Sequence, residues 1–138
     1  MLAPEYGGDG TTRGVCAKKR APAAFFPAHW APDGLTFYTG SSFPAHYHGG
    51  AFLAFHGSWN RAPFPQGGYL VAFVPFRGDS ATGPYEVFAD GFAGATKQPG
   101  SAAHRPAGVA VGPDGALYVG DDVHGRVWRI TYHAPASR

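Results

Sequence analysis

An all-β fold of short antiparallel strands is predicted by three observations. The chain of 138 residues holds 21 Gly and 13 Pro but only 14% charged residues, a composition of many tight turns and few long helices. Gly or Pro interrupts nearly every window long enough for an amphipathic helix, and no segment carries a sustained apolar stripe at helical spacing. From Leu35 onward, short β-like runs follow one another between Gly/Pro turns.

Taken in order, residues 1–28 are rich in Gly, Pro, Thr and Lys/Arg without period-2 or period-3.6 patterning, and predict an extended N-terminal connection. The lone Cys16 permits no internal disulfide. It reads as an unpaired thiol, or as the remnant of a pair whose other half lies upstream. The predicted strands are Leu35 to Tyr38, Ala51 to His56, Tyr69 to Phe76, Tyr85 to Phe88, Gly108 to Val111, Leu117 to Val119 and Arg126 to Tyr132.

Two of these runs differ in pattern. Residues 69–74 are apolar at every position, which suits a strand covered on both faces; Trp128, Ile130 and Tyr132 alternate with Val127, Arg129 and Thr131, which suits a strand with one wetter face. Stacked sheets supply both environments. Between Val111 and Leu117 stands Gly112-Pro113-Asp114-Gly115-Ala116. Proline presets φ for the first turn position, Asp bonds its own backbone and Gly accepts positive φ, so this is a hairpin turn.

Residues 29–92 and 104–133 read as weak repeats, each of the form strand, turn, strand, turn, strand, the first adding an outer strand at Tyr85 to Phe88. That is the form of propeller blades of three or four antiparallel strands, so residues 29–138 are expected to hold two blades of a partial β-propeller. In such meanders His29, residues 56–61, His104-Arg105 and residues 121–126 share one rim. Residues 41–50, with His46 and His48, fall at the other together with residues 112–115. The first rim is expected to be electropositive and to suit a flat anionic ligand, with Arg61 and Arg105 as donors of paired N–H groups. Arg126 and Arg129 read as solvated strand residues or partners of Asp121 and Asp122. Trp128 is expected to pack between sheets.

Composition also bounds function. The formal charge of +2 is spread out, without the continuous basic face that nucleic acid requires. No apolar stretch approaches the roughly 20 residues of a membrane span. Met1-Leu2-Ala3-Pro4 does not open a signal peptide, so an exported protein would need a start further upstream. His46 and His48, without neighbouring Cys, Asp or Glu, read as loop histidines, and Asp121-Asp122 offers too few oxygens for calcium. No metal ligand and no catalytic residue is assigned.

The segments FPAHWAPDGLTFYTG (Phe26 to Gly40), AFLAFHGSWNR (Ala51 to Arg61), GGYLVAFVPF (67–76) and RPAGVAVGPDGALYVGDD (Arg105 to Asp122) resemble the C-terminal third of the sorbosone and soluble glucose dehydrogenase family. The resemblance implies a six-bladed propeller that holds pyrroloquinoline quinone over its axis, with calcium at the cofactor and an aldose or related polyol or aldehyde as substrate. It implies that the general base and the main calcium ligands lie in blades upstream of these residues. By position it assigns His29 and Arg105 to the cofactor, and Arg61, Asn60 and His56 to a loop that supplies a basic contact. It further implies an electron acceptor in the whole protein, and export to the periplasm or beyond.

The chain on its own is then expected to be catalytically silent and to associate through open blade faces, either with the missing blades or with itself. Two other classes remain open: a calcium-dependent lactonase-type hydrolase on a similar propeller, and a non-catalytic propeller module that serves interactions.

Overall fold

The computed structural model describes residues 8, 9, 11 and 14–134. After a 3₁₀ turn at Gly14–Lys18, the strands are β1 (Pro32–Phe37), β2 (Ala51–Phe55), β3 (Leu70–Val74), β4 (Phe76–Arg77), β5 (Ser80–Ala81), β6 (Glu86–Ala89), β7 (Pro106–Val111), β8 (Leu117–Asp121) and β9 (Val127–Ile130). A second 3₁₀ turn, Ala45–Tyr47, lies between β1 and β2.

Neighbours pair antiparallel throughout, in a four-stranded sheet β1-β2-β3-β6, a three-stranded sheet β7-β8-β9 and a two-stranded hairpin β4-β5. The fold is all-β, two blades of a propeller.

Both β2 and β3 are buried along their whole length; for β3 this is the outcome that the unbroken apolar run 69–74 predicts. Phe52, Val71 and Phe73 form one core cluster with Leu117 and Val119 of β8, and this seam holds the blades together. Each such side chain withdrawn from water contributes roughly 1.5–3 kcal/mol. On the other face, Leu53, Phe55, Ala72 and Val74 are covered by Ala24, Phe26, Trp30 and Tyr85. Phe26 lies 4.7 Å from the ring of Phe55 and 5.1 Å from that of Tyr85. The end of the N-terminal connection thus packs as a lid on the first blade. The inner part of that face stays open, with Leu35 and Phe37 exposed.

Where β1 meets β7 the backbones touch. A Cβ on Gly34 would stand 2.5 Å from the carbonyl oxygen of Ala107, so only glycine permits this approach. At the end of the blades where β1 finishes, the Tyr38 hydroxyl donates to the Gly115 carbonyl at 2.8 Å and accepts from the Phe43 amide at 2.9 Å. The turn read from Gly112 to Gly115 forms as expected, with the Gly115 amide on the Gly112 carbonyl and the Ala116 amide on Asp114 Oδ1.

Arg129 lies on β9 with its side chain more than half exposed, the first of the two readings given for it. Its Nε and Nη2 both reach Asp114 Oδ2, at 2.8 and 2.6 Å, so its partner is the turn aspartate and neither Asp121 nor Asp122. The contact holds the Asp114 carboxyl below the usual carboxylate range, chiefly through the guanidinium bond. Trp128 packs on Phe92 at 4.9 Å, against the core as predicted.

Candidate functional site

The residues preceding β1 and β7 and the loops after β2 and β8 meet at one end of the two blades. His56, which follows β2, crosses to the second blade: its Nε2 lies 2.9 Å from both oxygens of Asp122. A carboxylate can only accept, so this nitrogen carries the proton. Its Nδ1 is 3.8 Å from Asp33 Oδ2 at the start of β1. Asp33, just ahead of the strand predicted from Leu35, is the member of this cluster that sequence reasoning does not single out.

Arg105 is buried, with 7% of its surface exposed. Its Nε donates to the His56 carbonyl and its Nη2 to the Gly57 carbonyl, at 3.0 and 2.9 Å, while the guanidinium lies 5.4 Å over the Tyr69 ring. The guanidinium that was expected to face a ligand is occupied in fastening one blade to the loop of the other.

Arg61 is half-buried. Its Nε donates to the Ala28 carbonyl at 3.0 Å and its Nη1 to the Pro65 carbonyl at 2.7 Å, which ties its own loop to the segment that carries His29 and leaves Nη2 uncommitted. Asn60 and His29 are exposed, and neither has a side-chain partner among the described residues. The loop itself is folded by Ser58, whose buried hydroxyl donates to Gln66 and accepts the Gly67 amide.

Backbone strain gathers at this end. His29, Ala31 and Tyr69 are the non-glycine residues with positive φ, at 66°, 54° and 60° among the described residues. Such conformations persist where the surroundings enforce them. Around Tyr69 the enforcement is visible: its hydroxyl donates to the Ser58 carbonyl at 2.8 Å, and a Cβ on Gly57 would come within 2.5 Å of its ring. Burial pushes the Tyr69 phenol above its ordinary value, against the pull of nearby Arg105.

Asp121 is the other anchor. Its carboxylate, with no exposed side-chain surface, accepts the amides of Arg105, Val123 and His124 at 2.8, 3.2 and 3.1 Å and His104 Nδ1 at 2.9 Å. Burial alone would raise this carboxyl, but the four donors outweigh it and bring it down to about 2. The outer nitrogen of His104 then faces Arg126 Nη1 at 3.3 Å.

The shared end forms as the blade reading predicts, but its expected electropositive character does not. Asp33, Asp121 and Asp122 are interleaved with His56 and His104 and bind them. At the opposite end, His46 pairs with Glu86 at 2.9 Å and His48 with the Phe43 carbonyl at 2.8 Å. Among the described residues no group of three or more His, Cys, Asp and Glu is placed to hold a metal ion, and no helix is long and apolar enough to cross a membrane.

A family model described as TrAA12-like matches residues 5–133. The chain is 35% identical over 107 residues to an uncharacterized protein of Borreliella burgdorferi, an alignment that covers 77% of this chain and 27% of that protein. Among solved structures it resembles the calcium structure of the Trichoderma reesei Carbohydrate-Active Enzymes Family AA12 protein, with a TM-score of 0.65 and 22% identity over 86% of this chain and 29% of that one. It also resembles a glucose dehydrogenase, with a TM-score of 0.55 and 20% identity over 85% of this chain and 30% of that one. At these identities the structural likeness speaks for the fold. The chain spans under a third of the length of each relative.

Proposed function

Given that the chain belongs to the TrAA12-like family, with 5–133 as the matched residues, we propose that it is the C-terminal part of a quinoprotein sugar dehydrogenase. In this reading the whole protein oxidises an aldose or related hydroxyl or aldehyde substrate, outside the cytoplasm, and passes electrons to a separate acceptor. The likeness to a carbohydrate-active enzyme solved with calcium and to a glucose dehydrogenase supports it.

The observation that carries the reading is the gathering of His29, Asn60 and Arg61 at the end where two blades meet, with donors left over. Pyrroloquinoline quinone carries three carboxylates, and a guanidinium nitrogen, an imidazole and an amide suit them. Arg61 Nη2, Asn60 and His29 would contact the cofactor directly. His56 would stand behind them, held by Asp122. Arg105 acts at one remove, by fixing the loop at His56 and Gly57. When bound, the quinone supplies the oxidant, as cofactors do in enzymes of this kind. The described residues offer no cluster for calcium, so its ligands are assigned to blades outside this chain.

Absorbance titration of the chain with pyrroloquinoline quinone and calcium, beside size-exclusion chromatography, tests the reading. Saturable quinone uptake that Arg61→Ala weakens about tenfold supports it. Calcium uptake without quinone would point instead to a lactonase-type hydrolase. Uptake of neither would refute cofactor binding by this chain and leave an interaction module.

A further inference from the structure

The loop that joins β2 to β3, residues 56–69, is braced from within. Ser58, fully buried, turns its polar groups inward. Its amide donates to the Gly67 carbonyl at 2.7 Å, its hydroxyl bonds Gln66 and the Gly67 amide, and its carbonyl accepts the Tyr69 hydroxyl at 2.8 Å. Gln66 Nε2 then donates to the Trp59 carbonyl at 3.3 Å, and the Phe64 amide closes a turn on the Arg61 carbonyl at 2.8 Å. A loop bonded this often has given up most of its freedom before a ligand arrives, which lowers the cost of binding.

On this scaffold two large aromatic side chains stand in solvent. Trp59 is 73% exposed and Phe64 66%. The other two tryptophans are packed, Trp30 at 5.5 Å from the ring of Phe55 and Trp128 at 4.9 Å from that of Phe92. Among the described residues Trp59 has neither a ring partner nor an acceptor for its indole N–H, and Phe64 meets the Arg61 guanidinium at 5.7 Å. A single exposed ring is ordinary. Two on one braced loop, with Asn60 and Arg61 Nη2 uncommitted between them, form a surface of alternating apolar faces and polar donors.

A pyranose has the matching chemistry: an apolar C–H face that lies on an aromatic ring, and hydroxyls at its rim that bond an amide or a guanidinium. Anchors for a protein partner gather instead in a dry, closed pocket, whereas here the donors alternate with the rings in the open. We propose that Trp59 and Phe64 form a stacking platform for a sugar unit beyond the one that reacts, so that the whole protein prefers substrates of two or more linked pyranoses to free monosaccharides. The inference rests on the sugar-dehydrogenase reading for its ligand and deepens it. Arg61, assigned to the cofactor, is half-buried between the two rings in sequence, and both rings stand further into solvent than it does. A linked sugar whose end unit reaches the cofactor would lay its next unit on them.

The test is calorimetric titration of this chain, without quinone, with glucose, cellobiose and maltose, beside iodide quenching of tryptophan fluorescence. One of the disaccharides is expected to bind saturably, about tenfold more tightly than glucose, and to shield a tryptophan from iodide. Trp59→Ala, with unchanged circular dichroism, should weaken that binding about tenfold, the effect of losing one aromatic stack. Trp59→Phe should recover most of it, because stacking needs the ring and not the indole N–H. Phe64→Ala should bring disaccharide affinity down toward that of glucose. Equal affinities for glucose and both disaccharides would overturn the proposal, as would disaccharide binding that Trp59→Ala leaves unaltered. Absence of saturation with every sugar would also overturn it and leave the rings to a protein partner. So would shielding of Trp59 that grows with protein concentration before sugar is added, since a second copy would then cover it. Selective disaccharide binding by a chain that takes up no quinone would refute the cofactor assignment alone; quinone uptake without that selectivity would refute the platform alone.

Discussion

Arg105, immediately before the first strand of the second blade, holds the backbone of His56, immediately after the second strand of the first, through an Nε bond of 3.0 Å. The adjoining Gly57 carbonyl takes Nη2 at 2.9 Å. The position of the loop that carries His56, Asn60 and Arg61 therefore depends on a side chain 48 residues further along. Buried carbonyls need donors, and here one planar fork serves two of them while its face rests on Tyr69.

Arg105→Ala should lower stability by about 2–4 kcal/mol, since two buried carbonyls lose a charged donor and the aromatic stack is lost with it. Arg105→Lys should recover less than half of that, because an ammonium cannot reproduce the fork. Thermal unfolding followed by circular dichroism measures both. A lysine variant as stable as the parent would show that charge alone matters at this position.

Gly57 and Tyr69 give a second expectation. Tyr69→Phe removes only the bond to the Ser58 carbonyl and should cost about 1 kcal/mol. Gly57→Ala should cost about 2–4 kcal/mol, because the residue sits at φ 97° and the new methyl would meet the Tyr69 ring. Denaturant titration of the two variants should therefore rank them in that order. Equal midpoints would mean that the loop relaxes freely around Tyr69.

Much of the architecture was legible because it rests on local chemistry. An unbroken apolar run gave a strand covered on both faces, and Gly112 to Gly115 gave a hairpin turn. Elsewhere the same tripeptide took two forms. Pro113-Asp114-Gly115 turns, while Pro32-Asp33-Gly34 lies in β1 with an irregular register against β2; Pro32 is the first residue of its strand, where a missing N–H is tolerated. The β4-β5 hairpin escaped notice because strands of two residues carry no period. The site was less legible. Its glycines, histidines and arginines can be read off the chain, but which of them are already engaged cannot, since His56 meets Asp122 across 66 residues and Arg105 meets Gly57 across 48. An end that reads as basic in sequence is thus balanced in the fold.

The adjacent acids Asp121 and Asp122 should behave unlike each other. Asp122 is more than half exposed where it meets His56, so Asp122→Asn should change stability by less than about 1 kcal/mol. Asp121 is buried among four donors, and Asp121→Asn should cost about 2–3 kcal/mol, since an amide can satisfy only part of that set. The difference extends to acid. Unfolded, the Asp121 carboxyl titrates near 3.8, and folded it lies at about 2. The folded form therefore binds this proton less readily than the unfolded form. Its contribution, on the order of 2 kcal/mol, is fully present above about pH 4 and fades as pH falls toward 2. Urea midpoints measured from pH 6 down to pH 2 should show the parent and Asp122→Asn losing stability below pH 4 along similar slopes, with Asp121→Asn markedly flatter. Parallel curves for all three would mean that Asp121 carries no special share of the acid sensitivity.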